Sequence, residues 1–229
     1  MRPAGRPGRR RVRLAIVAIV AILVLIPLSL FLLVAIPPSG WSPVPADPAA
    51  AEVRGEALEH FLSAEFSRVR PDDAPWAIRL REDDVNAWIA TRLPKWEANA
   101  GNPPPPAAEV RFRAGEVRLR IALPAFGVDP VLEAGVAPAV VDGPGGTALA
   151  LRLRSLSLGR LPLPRVGASL ISASLRASGL RAATPSAVST VTEDRFTVDY
   201  GLSDGRTVRL DAIAVEADGL VLEFRTLPR

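Results

Sequence analysis

The chain has 229 residues, 28 of them basic and 24 acidic, with one histidine and no cysteine, for a formal charge of +4. The absence of cysteine excludes a disulfide framework, thiolate metal sites, a cysteine nucleophile and a lipidated N-terminal cysteine. Arg2, Arg6, Arg9, Arg10, Arg11 and Arg13 hold six of the 28 basic residues, leaving 22 against 24 acidic ones. No basic surface of the kind that neutralises phosphates is therefore expected beyond residue 13, and nucleic acid is not expected as a partner.

Residues 1–13 form a basic N-terminus, and Leu14–Ile36 follows with no charge and Ser29 as its only polar side chain. At about 1.5 Å per residue this run makes a helix of roughly 34 Å, enough for a bilayer core of about 30 Å. Arginine-bearing segments stay cytoplasmic. The prediction is a transmembrane helix over residues 14–36, an uncleaved signal-anchor. It crosses the cell (inner) membrane once, with the N-terminus cytoplasmic and the rest extracytoplasmic. A cleaved signal peptide would have a shorter apolar region and a small-residue cleavage site, whereas this run ends in Pro37-Pro38. Pro27 is placed to kink the helix, and Trp41 stands where an interfacial aromatic would.

Residues 37–48 read as an extended proline-rich stalk with Pro37, Pro38, Pro43, Pro45 and Pro48. Residues 49–229 read as one α+β domain. Asp47-Pro48 is a helix start, with proline at the first position. Val53, Ala57, Leu58, Phe61, Leu62, Phe66 and Val69 then recur at helical spacing, opposite Glu52, Glu56, Glu59 and Arg68, until Pro71. A strand over Trp76–Leu80 precedes a helix from Glu82 or Asp83 to about Leu93, stopped by Pro94. Asn99–Pro106 is a loop.

From Ala107 the period becomes two. Val110 and Phe112 alternate with Arg111 and Arg113, and after Ala114-Gly115 the residues Val117, Leu119 and Ile121 alternate with Arg118 and Arg120. A strand over Asp129–Val141 and a turn over Asp142–Gly146 follow. Leu149, Leu151 and Leu153 then share a face, but the phase slips at Ser155 before Leu156 and Leu158, as at a β-bulge. Leu161–Pro164 ends that strand, and Val166–Ala177 reads as a short helix capped by Gly179. Arg195–Tyr200, Thr207–Val215 and Leu220–Phe224 read as a closing antiparallel meander. A second slip falls between Val208/Leu210 and Ile213/Val215. The fold class is α+β: a curved antiparallel β-sheet packed with two or three helices.

Catalytic chemistry is sparse. His60 lies within the first soluble helix and reads as a surface residue. No cluster has metal-ligand spacing, and no nucleophile elbow, phosphate loop or dinucleotide fingerprint occurs. Glu82, Asp83 and Asp84 crowd a helix start, which suits the helix dipole. Hence no enzyme, cofactor or metal is expected. Arg111, Arg113, Arg118, Arg120, Arg152 and Arg154 form a ladder on one sheet face. That face is either a solvated outer surface with intervening glutamates or a surface for anionic headgroups or an acidic partner.

The run from Ile78 to Ile89, with Glu82, Val85, Asn86 and Trp88, resembles the opening of the YpmS-like single-pass membrane proteins. Arg81 stands where that family usually has serine or threonine. Leu156–Pro164, with Gly159 and Pro164, resembles the family's second hallmark, a strand ending in a Leu-Pro pair before a helix. The resemblance implies a tubular lipid-binding (TULIP-like) half-tube with an apolar groove for acyl chains. Its lining would be Val110, Phe112, Val117, Leu119, Ile121, Leu149, Leu151, Leu153, Leu220, Leu222 and Phe224, residues that would otherwise make a dry core. Asn86 shares a helix face with Ile89 and Leu93, and is expected to satisfy backbone groups of a nearby strand end. The function expected is non-catalytic binding of membrane lipid or another apolar ligand. The alternative is an interaction module that docks an envelope protein through the arginine face or a sheet edge.

Overall fold

A computed structural model describes residues 23–123, 128–143, 146–163 and 195–228. Among these the fold is α+β, with two antiparallel sheets and three helices, preceded by a helical segment α1 over residues 23–35. No helix of the described residues is long and apolar enough to cross a membrane. The first part of the expected span, residues 14–22, lies outside the described residues, as do the expected helix Val166–Ala177 and its cap Gly179.

Helix α2 (Pro48–Ser67) starts as its sequence predicts: Asp47 accepts the Ala50 N–H at 3.0 Å and Pro48 occupies the first turn. Its last carbonyls are met by Arg206, which donates to Arg68 O at 2.8 Å and Phe66 O at 3.1 Å while Asp204 holds its Nε at 2.6 Å. The buried stripe of α2 is Ala51, Gly55 and Leu58, continued by Leu62 and Phe66 against the core. Contrary to the sequence expectation, Val53, Phe61 and Val69 are exposed, at 67%, 41% and 80%. The small residues decide the rotation. A Cβ on Gly55 would lie 2.5 Å from Thr91 Oγ1 and 3.2 Å from Ala87 O, so α3 (Glu82–Thr91) crosses where side chains are smallest.

That rotation turns Glu52 and Glu59 toward α3 and α4 (Leu93–Asn99) rather than to the far side. Arg92 Nε donates to Glu59 at 2.7 Å and Nη1 to Glu52 at 3.4 Å, and Lys95 reaches Glu52 at 2.5 Å. Pro94 does not end a helix here but sits in the first turn of α4. The hydrogen bond from Arg92 lowers the pKa of Glu59, and that from Lys95 lowers the pKa of Glu52. A lowered folded-state carboxylate pKa stabilises above the ordinary carboxylate range, and that stabilisation disappears as pH falls through the lowered value. Acid titration should therefore loosen the packing of α4 below the ordinary carboxylate range, read as a change in near-ultraviolet dichroism of the Trp88–Trp96 pair, whose rings meet edge to face at 5.5 Å. Identical titrations for the native chain and Glu59→Gln would overturn this.

Strand β1 (Pro75–Arg81) leads straight into α3. It forms the edge of a four-stranded sheet, β1-β10-β9-β8, with β8 (Asp199–Gly201), β9 (Thr207–Val215) and β10 (Gly219–Leu227). The second sheet runs β2 (Ala108–Arg113), β3 (Glu116–Ala122), β4 (Val131–Gly143), β5 (Gly146–Leu158) and β6 (Leu161–Pro162), with β7 (Arg195–Thr197) also paired to β5. The strands thus form two sheets, not the single sheet expected, and the stretch read as one strand over Arg195–Tyr200 is shared between them. It crosses at Val198, which is 1% exposed and whose carbonyl accepts the Leu210 N–H at 2.8 Å.

Both phase slips are bulges. Gly135 pairs Ser155 and Val136 pairs Leu153, so Arg154 is the extra residue; Glu223 pairs Ala212 and Phe224 pairs Leu210, so Asp211 is. The core lies where the sheets meet. Ile78, Val198, Val208, Leu210 and Phe224 are buried, and Val140 and Leu149 of the longer sheet pack on them. Phe66, Trp76 and Phe224 close it, with ring centroids 4.7–5.6 Å apart.

Candidate functional site

In an antiparallel ladder, residues directly opposite share a face. Phe112, Val117, Val136 and Leu153 make one row across β2–β5, and Val110, Leu119, Ala134 and Leu156 the next. Ile121, Leu132 and Leu158 make a third, and past the bulge Leu151 opposes Pro138 and Leu149 opposes Val140. Eight of the eleven expected lining residues therefore share one apolar face. Leu220, Leu222 and Phe224 belong to the other sheet, with Phe224 inside its aromatic cluster. Val110 and Phe112 are buried at the α3 side, whereas Val117, Leu119, Ile121, Leu149, Leu151 and Leu153 are half-buried.

The motif residues of α3 act at the open edge of β2. Asn86 Nδ2 donates to Val110 O at 2.8 Å, and its Oδ1 accepts the Val110 N–H at 2.7 Å. One turn earlier, Glu82 accepts the Phe112 N–H at 2.6 Å and Arg111 Nη1 at 2.9 Å. Two side chains at i and i+4 thus replace a missing neighbouring strand, the role the sequence suggested for Asn86. Glu82, Asp83 and Asp84 also occupy the first turn of α3, although Arg81 supplies no side-chain cap. Val85 and Trp88 are half-buried. Pro164 lies outside the described residues.

The opposite face carries the arginine ladder, and it is neither purely solvated nor a free docking surface. Arg111 opposes Arg118 in the register, and carboxylates separate them. Glu82 meets Arg111, Glu116 meets Arg118 at 2.9 Å, and Glu133 meets Arg120 at 2.5 Å. Burial opposes the charge of Arg111, but the Glu82 hydrogen bond and the nearby Glu109 raise its pKa on balance. Arg120 is 6% exposed and Glu109 only 2%; they bond each other at 2.9 Å. Arg113, Arg152 and Arg154 remain exposed.

The segment expected as a stalk covers this face. Glu109 accepts the Ser42 N–H at 3.0 Å, Arg120 donates to Ser39 O at 3.2 Å and Arg111 to Gly40 O at 2.8 Å. Sequence reading missed this strap. No local signal marks it, because Glu109 follows Ala107-Ala108 and precedes Val110 as an outward charge of a strand would. Further back, the Arg160 N–H reaches Leu33 O at 2.7 Å and its Nε reaches Pro37 O at 3.4 Å. Gly159, at φ 58°, lies so close that a Cβ would overlap the carbonyls of Leu33 and Val34.

Between strap, α2, α3 and β2 lies an open cleft of about 350 Å³, lined by Asp47, Arg54, Asp83, Asn86, Glu109 and Arg111 among others. Asn86, Glu109 and Arg111 already have partners within the fold. His60 is exposed on α2, 3.6 Å from Glu56. Among the described residues, no group of three acidic, histidine or cysteine side chains could hold a metal ion.

Fold and site together define an α+β protein of two antiparallel sheets, one of which carries an apolar face and a charged face crossed by the chain's own N-terminal strap. Comparison with protein-family models, with curated proteins and with solved structures finds no match.

Proposed function

We propose that this chain is a membrane-anchored, non-catalytic protein of the cell envelope that binds lipid or another apolar ligand along the apolar face of β3–β5. One observation carries the reading. Within β3–β5 the apolar rows, Leu132 apart, stay half-buried from Leu158, next to the turn that meets the end of α1, to Leu149 at the inter-sheet core. The strands of 13 residues span about 40 Å at roughly 3.3 Å per residue, longer than an acyl chain needs. A bulge at Arg154 bends this hairpin, in keeping with the half-tube that the resemblance to the YpmS-like proteins implies. Segment α1 supports the anchor: Leu23, Leu25 and Phe31 are 67%, 57% and 51% exposed, an apolar surface that suits lipid. With the arginines of residues 1–13 cytoplasmic, the two-sheet domain lies outside the cell membrane.

The test is native mass spectrometry of the full chain extracted in lipid nanodiscs, with uptake of a fluorescent phospholipid as a second readout. A bound amphiphile is expected, and Leu119→Trp with Leu153→Trp should reduce uptake by filling the face. A chain recovered without ligand and without dye uptake would end the proposal.

A further inference from the structure

We infer that the strap is an orienting clamp which holds the β5–β6 end of the longer sheet against the phospholipid bilayer, making the turn at Gly159-Arg160 a lipid-facing surface. This rests on the membrane anchoring proposed above. A tether joined to the domain through the chain alone would leave its tilt unfixed, but the strap between α1 and α2 is bonded at its start and its middle. At its start, Arg160 holds Leu33 O by its backbone N–H and Pro37 O by its guanidinium. At its middle, Ser39, Gly40 and Ser42 are held by Arg120, Arg111 and Glu109. The two arginines and the glutamate are rooted in adjacent strands, so the strap cannot pivot without breaking these bonds and exposing the buried Arg120–Glu109 pair to water.

The placement follows from where the clamp grips. Leu33 O is one of the last carbonyls of α1, and the turn satisfies it in place of water. Residues 23–33 of α1 are apolar apart from Ser29 and exposed, so their C-terminal end marks the edge of the hydrocarbon. The Gly159-Arg160 turn is thereby fixed at headgroup depth, where the exposed Arg160 meets lipid phosphates. Asp142, at the far end of the β4–β5 hairpin, is held about 40 Å away along the strands.

The chain lacks cysteine, so single labels are clean. The full chain would be reconstituted in phosphatidylcholine/phosphatidylglycerol vesicles with an environment-sensitive fluorophore at Pro162→Cys, exposed on β6 at the gripped end, or at Asp142→Cys, and titrated with lipids spin-labelled near the headgroup. Quenching at 162 should exceed that at 142 by at least about threefold, given a separation larger than the bilayer core. Gly159→Val, which wedges α1 from the turn, should bring the two labels together while the protein still floats with the vesicles. Equal quenching in the unwedged protein, or a difference that persists undiminished in a folded Gly159→Val chain, would overturn the clamp. Failure to float with vesicles would instead overturn the anchoring itself.

Discussion

Arg120→Ala is expected to destabilise the protein by about 3–5 kcal/mol, the usual cost of leaving a buried charge without its partner. Arg120 is 6% exposed and bonds three acceptors: Glu109 at 2.9 Å, Glu133 at 2.5 Å and Ser39 O at 3.2 Å. Truncation leaves Glu109, at 2% exposure, holding the Ser42 N–H with only the distant Nε of Arg111, at 3.5 Å, to balance its charge. Replacing both partners by apolar residues of similar size, as in Arg120→Met with Glu109→Leu, should cost less, because the most deeply buried charge leaves with its partner and Glu133 keeps Arg118 at 3.7 Å. Arg209→Ala is the internal control. It breaks an ion pair with Asp199 at 2.7 Å whose two side chains are 38% and 41% exposed, and should cost below about 1 kcal/mol. Urea unfolding of the full chain in mild detergent, followed by tryptophan fluorescence, reads all three. A loss for Arg120→Ala no larger than that for Arg209→Ala would mean that water reaches Glu109 and that the strap does not seal the face.

Asn86→Leu should cost about 2–4 kcal/mol, since it strands both the N–H and the C=O of Val110 next to a side chain that cannot bond either. Bulk is nearly conserved, so the loss reports hydrogen bonding rather than packing. Asn86→Asp keeps the acceptor but aims a carboxylate at the Val110 carbonyl, and should be no better. The distinguishing readout is amide hydrogen exchange. Val110 should exchange orders of magnitude faster in the variant, while Phe112, held by Glu82 at 2.6 Å, should change less. Unchanged protection at Val110 would show that the edge is sealed by something other than Asn86. An unsealed β2 edge also exposes a template for strand addition, so the variant should aggregate more readily.

Much of the local architecture was legible in order along the chain. Asp47-Pro48 marks the start of α2 because a carboxylate that caps and a residue with no N–H to satisfy are specific to that position. The alternation from Val110 to Ile121 states a hairpin with one apolar face, since side chains of a strand alternate strictly. The two slips in that alternation correspond to extra residues at Arg154 and Asp211. Asn86 was readable as a backbone partner because an amide on the buried face of a helix must bond something.

Other features depended on where remote segments come to rest. The helical spacing of Val53, Phe61 and Val69 suggested the buried side of α2, yet Ala51 and Gly55 won because they let α3 approach within contact of the backbone. Whether the strands form one sheet or two was invisible, since β10 carries the same alternation whether it pairs with β1 or with β5; the crossing at Val198 settled it. Glu109 and Arg120 look like ordinary outward charges in the sequence, and burial by residues 39–42, about seventy positions away, makes them a lock.

Sequence by itself determined the uncharged run behind its arginines, the starts of α2 and α3, the hairpin and the bulges, because these follow from local sterics, hydrogen-bond chemistry and the period of apolar residues. Tertiary structure alone decided which face of α2 is buried, how the strands divide between two sheets, and that the proline-rich stretch is bonded to the domain. These depend on long-range contacts and on burial, quantities that no window of neighbouring residues contains.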